Sequence, residues 1–344
     1  MGQTDIIVGK TDMPAAPETL EIGLLLYPGA QLAAVYGLTD LFSVANRMAA
    51  ERGAAKLPAL RVTHWALQDG TSGIQRVFDS LPGSQRSPRI IILPPCLEAR
   101  PEAHVIQPFA AWLGQCHQAG VTLGSVCAGA FLLAETGLLD GRTVTTHWGL
   151  AQALRERFPN VQVDADRMIV DDGDIITAGG LMAWTDLGLA LVERLLGPTI
   201  ASETARYLVI DLTRQSQRYF SSFAPRLDHG DEAVLRVQRW LQSQSASAVP
   251  VAAMAAQAGM GERTFLRRFR AATGLKPTEY CQQLRVGKAR ELLELTNRGI
   301  EQVAWAVGYQ DPGAFRKVFQ RLVGLSPGDY RRRFGSGTQP SEPT

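Results

Sequence analysis

The chain has 344 residues, 45% of them hydrophobic, with 35 Lys and Arg against 33 Asp and Glu, a formal net charge of +2. This length admits two or three domains, and no apolar run approaches the roughly 18–20 residues that span a bilayer, so no membrane partner is expected. The charge is uneven: from Asp228 onward 17 basic side chains stand against 11 acidic ones, net +6, while the remainder holds 18 and 22, net −4; the back half is the part expected to meet a polyanion.

In chain order, residues 1–19 are polar and interrupted by Pro14 and Pro17. They lack the basic start and apolar centre of a secretory signal and read as a flexible tail on a cytoplasmic protein. Residues 20–198 alternate two patterns. "EIGLLLY" (Glu21–Tyr27), "LRVTHWAL" (Leu60–Leu67), "RIIIL" (Arg89–Leu93) and "VTLGSV" (Val121–Val126) are short, apolar and rich in β-branched residues. Between them, Leu38, Leu41, Phe42 and Ala45, and then Val105, Phe109, Trp112 and Leu113, keep a helical spacing. Strands alternating with helices predict an α/β domain with a mainly parallel sheet. "RMIVDDGDIITAGG" predicts a hairpin turning at Asp172-Gly173, and "AWTDLGLALVERLLG" a covering helix ended by Gly197 and Pro198. Cys96, Cys116, Cys127 and Cys281 show no CxxC or zinc spacing and no disulfide framework, so reduced thiols and no metal or cofactor are expected.

In open α/β sheets, ligands bind beyond the carboxyl ends of the strands. Tyr27-Pro28-Gly29, "LPPC" (Leu93–Cys96) and "CAG" (Cys127–Gly129) all fall there, which predicts a small-molecule pocket involving Cys96, Cys127 and Ala128. "SVCAG" places Cys127 on a sharp strand-to-helix turn, a geometry that exposes nucleophiles in several hydrolases, and a helix start favours a thiolate. His147 follows twenty residues later, with Trp148 beside it. Each of these residues has a plainer reading. Cys127 fits the floor of a pocket, or simply a small residue at a tight turn. His147 fits a structural histidine, and Trp148 fits core as well as a π face for a cationic amine. Asp186 in "WTDLG" fits a polar group behind the pocket, a helix cap or an exposed side chain.

"LLLYPGAQ", "SVCAGAFLLAETGLLDGRTVTTHW" and "ITAGGLMAWTDLGLALVERLLG" resemble the class I glutamine amidotransferase-like, intracellular-protease-like domain, in the version found at the front of GlxA-type transcriptional regulators. The resemblance covers about residues 20–220 and implies a flavodoxin-like α/β sandwich that senses amines or amino-acid-like metabolites. It also implies what catalysis would require. Enzymatic relatives often have a histidine directly after the cysteine, where this chain has Ala128. Some carry an acid on the first helix, where "GAQLAAVYG" (Gly29–Gly37) has no carboxylate. Pro94-Pro95 replaces a Pro-Gly-Gly run whose amides face an oxyanion, and proline has no N–H to give. The expectation is therefore a sensor with no catalytic residue; the alternative is a thiol-dependent hydrolase or amidase fused to a DNA-binding domain.

Residues 199–230 read as a linker that begins helical and turns irregular after Arg214. "DEAVLRVQRWLQSQ" (Asp231–Gln244) is an amphipathic helix opening an all-α domain over 231–334. That domain contains a repeat: Ala255 and Gly259 recur as Ala304 and Gly308 at an offset of 49, and Phe265, Phe269 and Tyr280 recur as Phe315, Phe319 and Tyr330 at an offset of 50. Each copy predicts helix, glycine turn, helix. Asp311 suits the cap of the second copy's last helix and Pro312 its first position; Gly261 is the equivalent cap in the first. With the phenylalanines inward, Arg263 and Arg267 project together on the opposite face, and their counterparts are Gly313 and Lys317. These motifs, above all "GYQDPGAFRKVFQRLVGLSPGDYRRRF", resemble the AraC/XylS-type domain, in which two helix-turn-helix units are joined by a long helix, here about Thr278–Leu295. A helix apolar on one side and basic on the other fits the major groove, so Arg263, Arg267, Gly313 and Lys317, with Arg316 beside them, are expected at base edges of double-stranded DNA, Thr264 at the DNA, and Arg268, Arg270, Gln320 and Arg321 at phosphates. A homodimer is expected, and residues 335–344 read as a disordered tail.

Overall fold

A computed structural model describes residues 18–54, 57–68, 73–83, 87–97, 103–212, 214–244 and 249–336; most of both expected tails lies outside the described residues. The chain divides into two compact units, Met1–Gln217 and Arg218–Thr344.

The first unit is built on β1 (Thr19–Leu26), β2 (Ala59–Leu67), β3 (Ile74–Asp79), β4 (Ile90–Leu93), β5 (Thr122–Val126), β8 (Ile169–Asp171) and β9 (Ile175–Ala178), in the order β3-β2-β1-β4-β5-β9-β8. The five central strands are parallel and only the edge strands β3 and β8 run antiparallel. The central strands are nearly continuous apolar runs, as strands covered on both faces must be. Helices α1 (Leu32–Glu51), α5 (Trp184–Leu196) and α6 (Pro198–Tyr207) pack on one another, and α2 (Ala103–Gln118) packs on α3 (Gly129–Ala134). This is a flavodoxin-like sandwich. A glycine allows the α1–α5 approach: a Cβ on Gly37 would sit 2.4 Å from the Trp184 ring.

Two features escape the sequence patterns. β3 (IQRVFD) mixes apolar and polar residues without alternation at a half-exposed edge, and β6 (Thr143–Val144) pairs with β7 (Gln162–Val163), with the short α4 (Ala151–Arg157) between them. Residues 199–217, read above as linker, are also part of the first unit: Ile200, Ala201 and Ala205 of α6 lie in its core.

The β1–β2–β3 edge encloses charge. Arg61 is fully buried; its guanidinium donates to Asp79 at 2.8 Å and to Glu21 at 3.1 Å. Thr63 Oγ1 donates to Glu21 at 2.8 Å and Trp65 Nε1 to Thr63 Oγ1 at 2.9 Å. A buried ion pair survives only when its remaining lone pairs are met in this way.

The second unit is all helical: α7 (Glu232–Ser243), α8 (Val251–Ala258), α9 (Glu262–Thr273), α10 (Pro277–Leu295), α11 (Ile300–Ala306), α12 (Pro312–Val323) and α13 (Pro327–Phe334). It has two small cores. Phe265 and Phe269 join Val234, Val237 and Tyr280 in one; Phe315 and Phe319 join Val303, Ala304 and Tyr330 in the other. α10 serves both, with Tyr280 in the first and Val286, Ala289 and Leu293 in the second. The residues opening this unit lie along α10: Tyr219 enters the second core, Phe223 meets the Tyr280 ring at 5.2 Å in the first, and Arg290 donates to the Arg218 and Ser221 carbonyls.

Candidate effector pocket and nucleic-acid interface

The carboxyl ends of β1, β4 and β5 converge as the strand pattern predicts. Tyr27 Oη donates to the Pro94 carbonyl at 2.6 Å, Gln31 N to the Pro95 carbonyl at 2.7 Å, and Leu97 N to the Gly29 carbonyl at 3.0 Å; Ala30 and Cys96 form an antiparallel bridge. Gly129 is required by the same convergence, because a Cβ there would lie 2.5 Å from the Leu93 carbonyl oxygen.

Cys127 sits at φ 55°, one of two non-glycine residues in the left-handed region among the described residues. This is the strained turn of a nucleophile elbow. Its amide donates to the Ala178 carbonyl at 2.8 Å, and its carbonyl accepts from Thr146 Oγ1 at 2.7 Å. The thiol itself is poorly placed for chemistry. Burial pushes it up to about 11; a hydrogen bond from the Ala128 amide opposes that rise, and nearby Cys96 adds to it. Cys96, Cys127 and Ala128 are all buried. Tyr27 feels both thiols and is raised by its own burial.

Thr146 leads directly into His147 and Trp148, so the second half of the predicted pocket is tied to the elbow. His147 Nδ1 accepts from Gly149 N at 3.0 Å, which leaves Nε2 to carry the proton of the neutral ring; partial burial holds its pKa below the usual histidine value. The His147 and Trp148 rings lie 5.0 Å apart, tilted by 32°. Gln217, buried, holds this segment: Nε2 donates to the Thr146 carbonyl at 2.8 Å and the Arg167 carbonyl at 3.0 Å, and Oε1 accepts from Trp148 N at 3.3 Å. Asp186 proves to be an ion-pair partner of Arg214 in the first turn of α5.

Two residues stand out here that spacing alone passes over. Gln31, 6% exposed beside Cys96, has a buried Oε1 with no partner among the described residues, and Ser125 Oγ on β5 is likewise buried and unmatched. The signal for Gln31 was its position, two residues after the Tyr27-Pro28-Gly29 turn that the strand pattern places beside the predicted pocket.

In the second unit, α8 ends at Gly259 with φ 68° and α11 is followed by Gly308 with φ 82°, the left-handed turns that the repeat predicts. α9 starts from Gly261 without a side-chain cap. α12 starts from Asp311, whose carboxylate accepts from Gly313 N at 2.8 Å and Ala314 N at 3.1 Å, with Pro312 at its first position. Arg263, Thr264, Arg267 and Arg270 are exposed on α9, and Arg316, Lys317 and Gln320 on α12, with Gly313 partly covered. Three of the predicted contacts are engaged within the unit. Arg268 donates twice, at 2.8 Å, to Asp231 at the cap of α7. Arg321 donates to Gln282 at 2.6 Å, and Arg316 lies 3.8 Å from Glu301. Leu266, an apolar residue beside the predicted reading face, is 40% exposed on α9.

A model of the DJ-1/PfpI family matches residues 90–194, and a helix-turn-helix domain model matches residues 254–333. The chain is 34% identical over 218 residues to the HTH-type transcriptional regulator GlxA of Rhizobium meliloti (strain 1021), covering 63% of this chain and 67% of that protein. It is 30% identical over 221 residues to the HTH-type transcriptional regulator CdhR of Pseudomonas aeruginosa, covering 64% and 66%. The matches span about two thirds of these relatives. An AraC family transcriptional regulator structure from Pseudomonas putida aligns at 20% identity with a TM-score of 0.42, over 55% of this chain and 99% of that one. An amidotransferase-like sandwich followed by a double helix-turn-helix unit defines a class, the two-unit transcriptional regulators. Within it, the chain belongs to the GlxA-like family of AraC-type regulators.

Proposed function

We propose that the front unit holds a small amine or amino-acid-like effector at the Cys127 elbow and that the back unit reads operator DNA through α9 and α12. The observation that carries this reading is the two-sidedness of both helices. Each buries a pair of phenylalanines four residues apart and exposes cations on the opposite face, which suits insertion of the helix N-terminal half into a major groove. Arg263, Arg267, Arg316 and Lys317 are assigned to base edges, Thr264 and Gly313 to the close approach at each helix start, and Arg270 and Gln320 to phosphates. Arg268 and Arg321 serve there only if DNA displaces Asp231 and Gln282. The two helix-turn-helix units of the back half would enter successive grooves about 34 Å apart, and a homodimer, in the cytoplasm, would span a two-part site.

The effector assignment rests on the elbow. The unmatched Gln31 Oε1 calls for a ligand that brings an N–H donor, because a buried acceptor without a partner costs about 1–3 kcal/mol, and the Trp148 face suits a cationic head. Cys96, Cys127, Ala128 and His147 complete the assigned lining. A thiol held near 11, with no carboxylate in Gly29–Gly37, supports sensing over catalysis. Among the described residues, no helix is long and apolar enough to cross a membrane.

The test is a thermal-shift screen of amino acids, betaines and other amines on the full chain, repeated with Gln31→Leu and Cys127→Ser. A ligand that stabilises the wild type and Cys127→Ser, but not Gln31→Leu, supports the sensor. A ligand turned over by the wild type and not by Cys127→Ser contradicts it.

A further inference from the structure

α9 and α12 are copies, so where they differ they should read different bases. At an offset of 50 residues, Arg263 corresponds to Gly313, Arg267 to Lys317, and Leu266 to Arg316. Steps of three and four residues put Arg263, Leu266, Arg267 and Arg270 on one helical face. Leu266 thus stands inside a row of cations, 40% exposed, with Phe265 and Phe269 fully buried on the other side of the helix. A lone exposed leucine ordinarily calls for no explanation. This one adjoins a concavity of about 570 Å³ lined by Leu266, Arg267, Arg270, Ala271, Lys276 and Pro277. Three cations around an apolar floor form a surface that draws in phosphates and then offers the base edge something with no hydrogen-bonding capacity.

One base presents an apolar group in the major groove: thymine, through its C5-methyl. We infer that Leu266 is a specificity-determining residue that packs on a thymine methyl, so that the α9 half-site is a thymine flanked by guanines met by Arg263 and Arg267. The α12 half-site lacks this element, since Arg316 occupies the equivalent place and Gly313 has no side chain. The inference rests on the proposed reading of DNA by α9 and goes beyond it, because it names a base and a contact outside the residues assigned above. An acidic, apolar protein segment would also suit a basic groove. DNA is favoured because Leu266 shares its face with Arg263 near the start of the helix.

Replacing thymine by uracil removes the methyl and leaves every hydrogen-bonding edge in place. The duplex bound by the full chain is selected from a random pool, and the α9 half-site is located by the positions whose preference Arg263→Ala relaxes. Each thymine in that half-site is then replaced by uracil. At one position we expect about a fourfold loss of affinity, the worth of one buried methyl, and no further loss from uracil in Leu266→Ala. Leu266→Met should retain the penalty. The inference is overturned if no uracil position costs affinity, if the penalty persists in Leu266→Ala, or if Leu266→Ala impairs transcription with unchanged duplex affinity, which points to a protein partner. Selection that enriches no sequence at all would instead overturn base reading by α9, and this inference with it.

Discussion

Thr146 Oγ1 donates to the Cys127 carbonyl at 2.7 Å, so the strained elbow and the segment bearing His147 and Trp148 are fastened to one another. Gln217 fastens the same segment from the other side. Both groups are buried, so each bond lost strands a polar partner. Thr146→Val should lower stability by about 1–3 kcal/mol, and Gln217→Ala by at least as much. Chemical denaturation of each variant against the wild type measures both values.

The Cys127 thiol should be slow to alkylate. With its pKa at about 11, only a minute fraction is thiolate near neutrality. The difference in iodoacetamide uptake between the wild type and Cys127→Ser should rise steadily with pH above 8, and a plateau below pH 8 would contradict this account. The sign for stability follows from the raised value. The folded state holds this proton more tightly than the unfolded chain, so the contribution is complete below the ordinary thiol range near 8.5 and fades as pH climbs toward 11.

Glu21→Leu leaves the fully buried Arg61 with Asp79 alone. Breaking one partner of a buried ion pair costs about 3–5 kcal/mol, so the variant should be severely destabilised. Arg61 also holds Asp79 below the usual carboxylate range. That depressed value means the contribution of Asp79 is present above pH 4 and is lost as acid drives the pH through the lower folded value. Equilibrium unfolding at stepped pH between 7 and 3 would show the loss in the wild type, and a smaller one in Asp79→Asn.

Arg268→Ala should behave differently from Arg263→Ala. Arg268 is already committed to the α7 cap through Asp231, and an ion pair this near the surface adds little to stability. Its loss should slightly lower the melting temperature and leave base preference unchanged, as sequence selection with the variant would show.

Much of this was legible in the residues. The alternation of apolar strands with helical spacing marks the central sheet, because strands covered on both faces are largely apolar. The 49–50-residue repeat marks both helix-turn-helix units, down to the Asp311 cap. Three things were hidden, for different reasons. The buried Glu21–Arg61–Asp79 cluster is invisible to hydrophobic patterning, since charged residues in a strand read as solvent-facing. The place of Gln217 depends on chain-distant partners at Thr146 and Arg167 that no local pattern announces. The exposure of Leu266 among cations depends on how α9 packs, which buries only Phe265 and Phe269 of that helix.

Base reading by α9 and α12 has a direct test. The decisive measurement is the affinity of the full chain for its selected duplex against random duplex at fixed salt, for the wild type, Arg263→Ala and Lys317→Ala. Each substitution should cost the selected duplex about 1–3 kcal/mol and the random duplex much less. Equal losses on both duplexes would show that these side chains only touch phosphate, and would contradict the account.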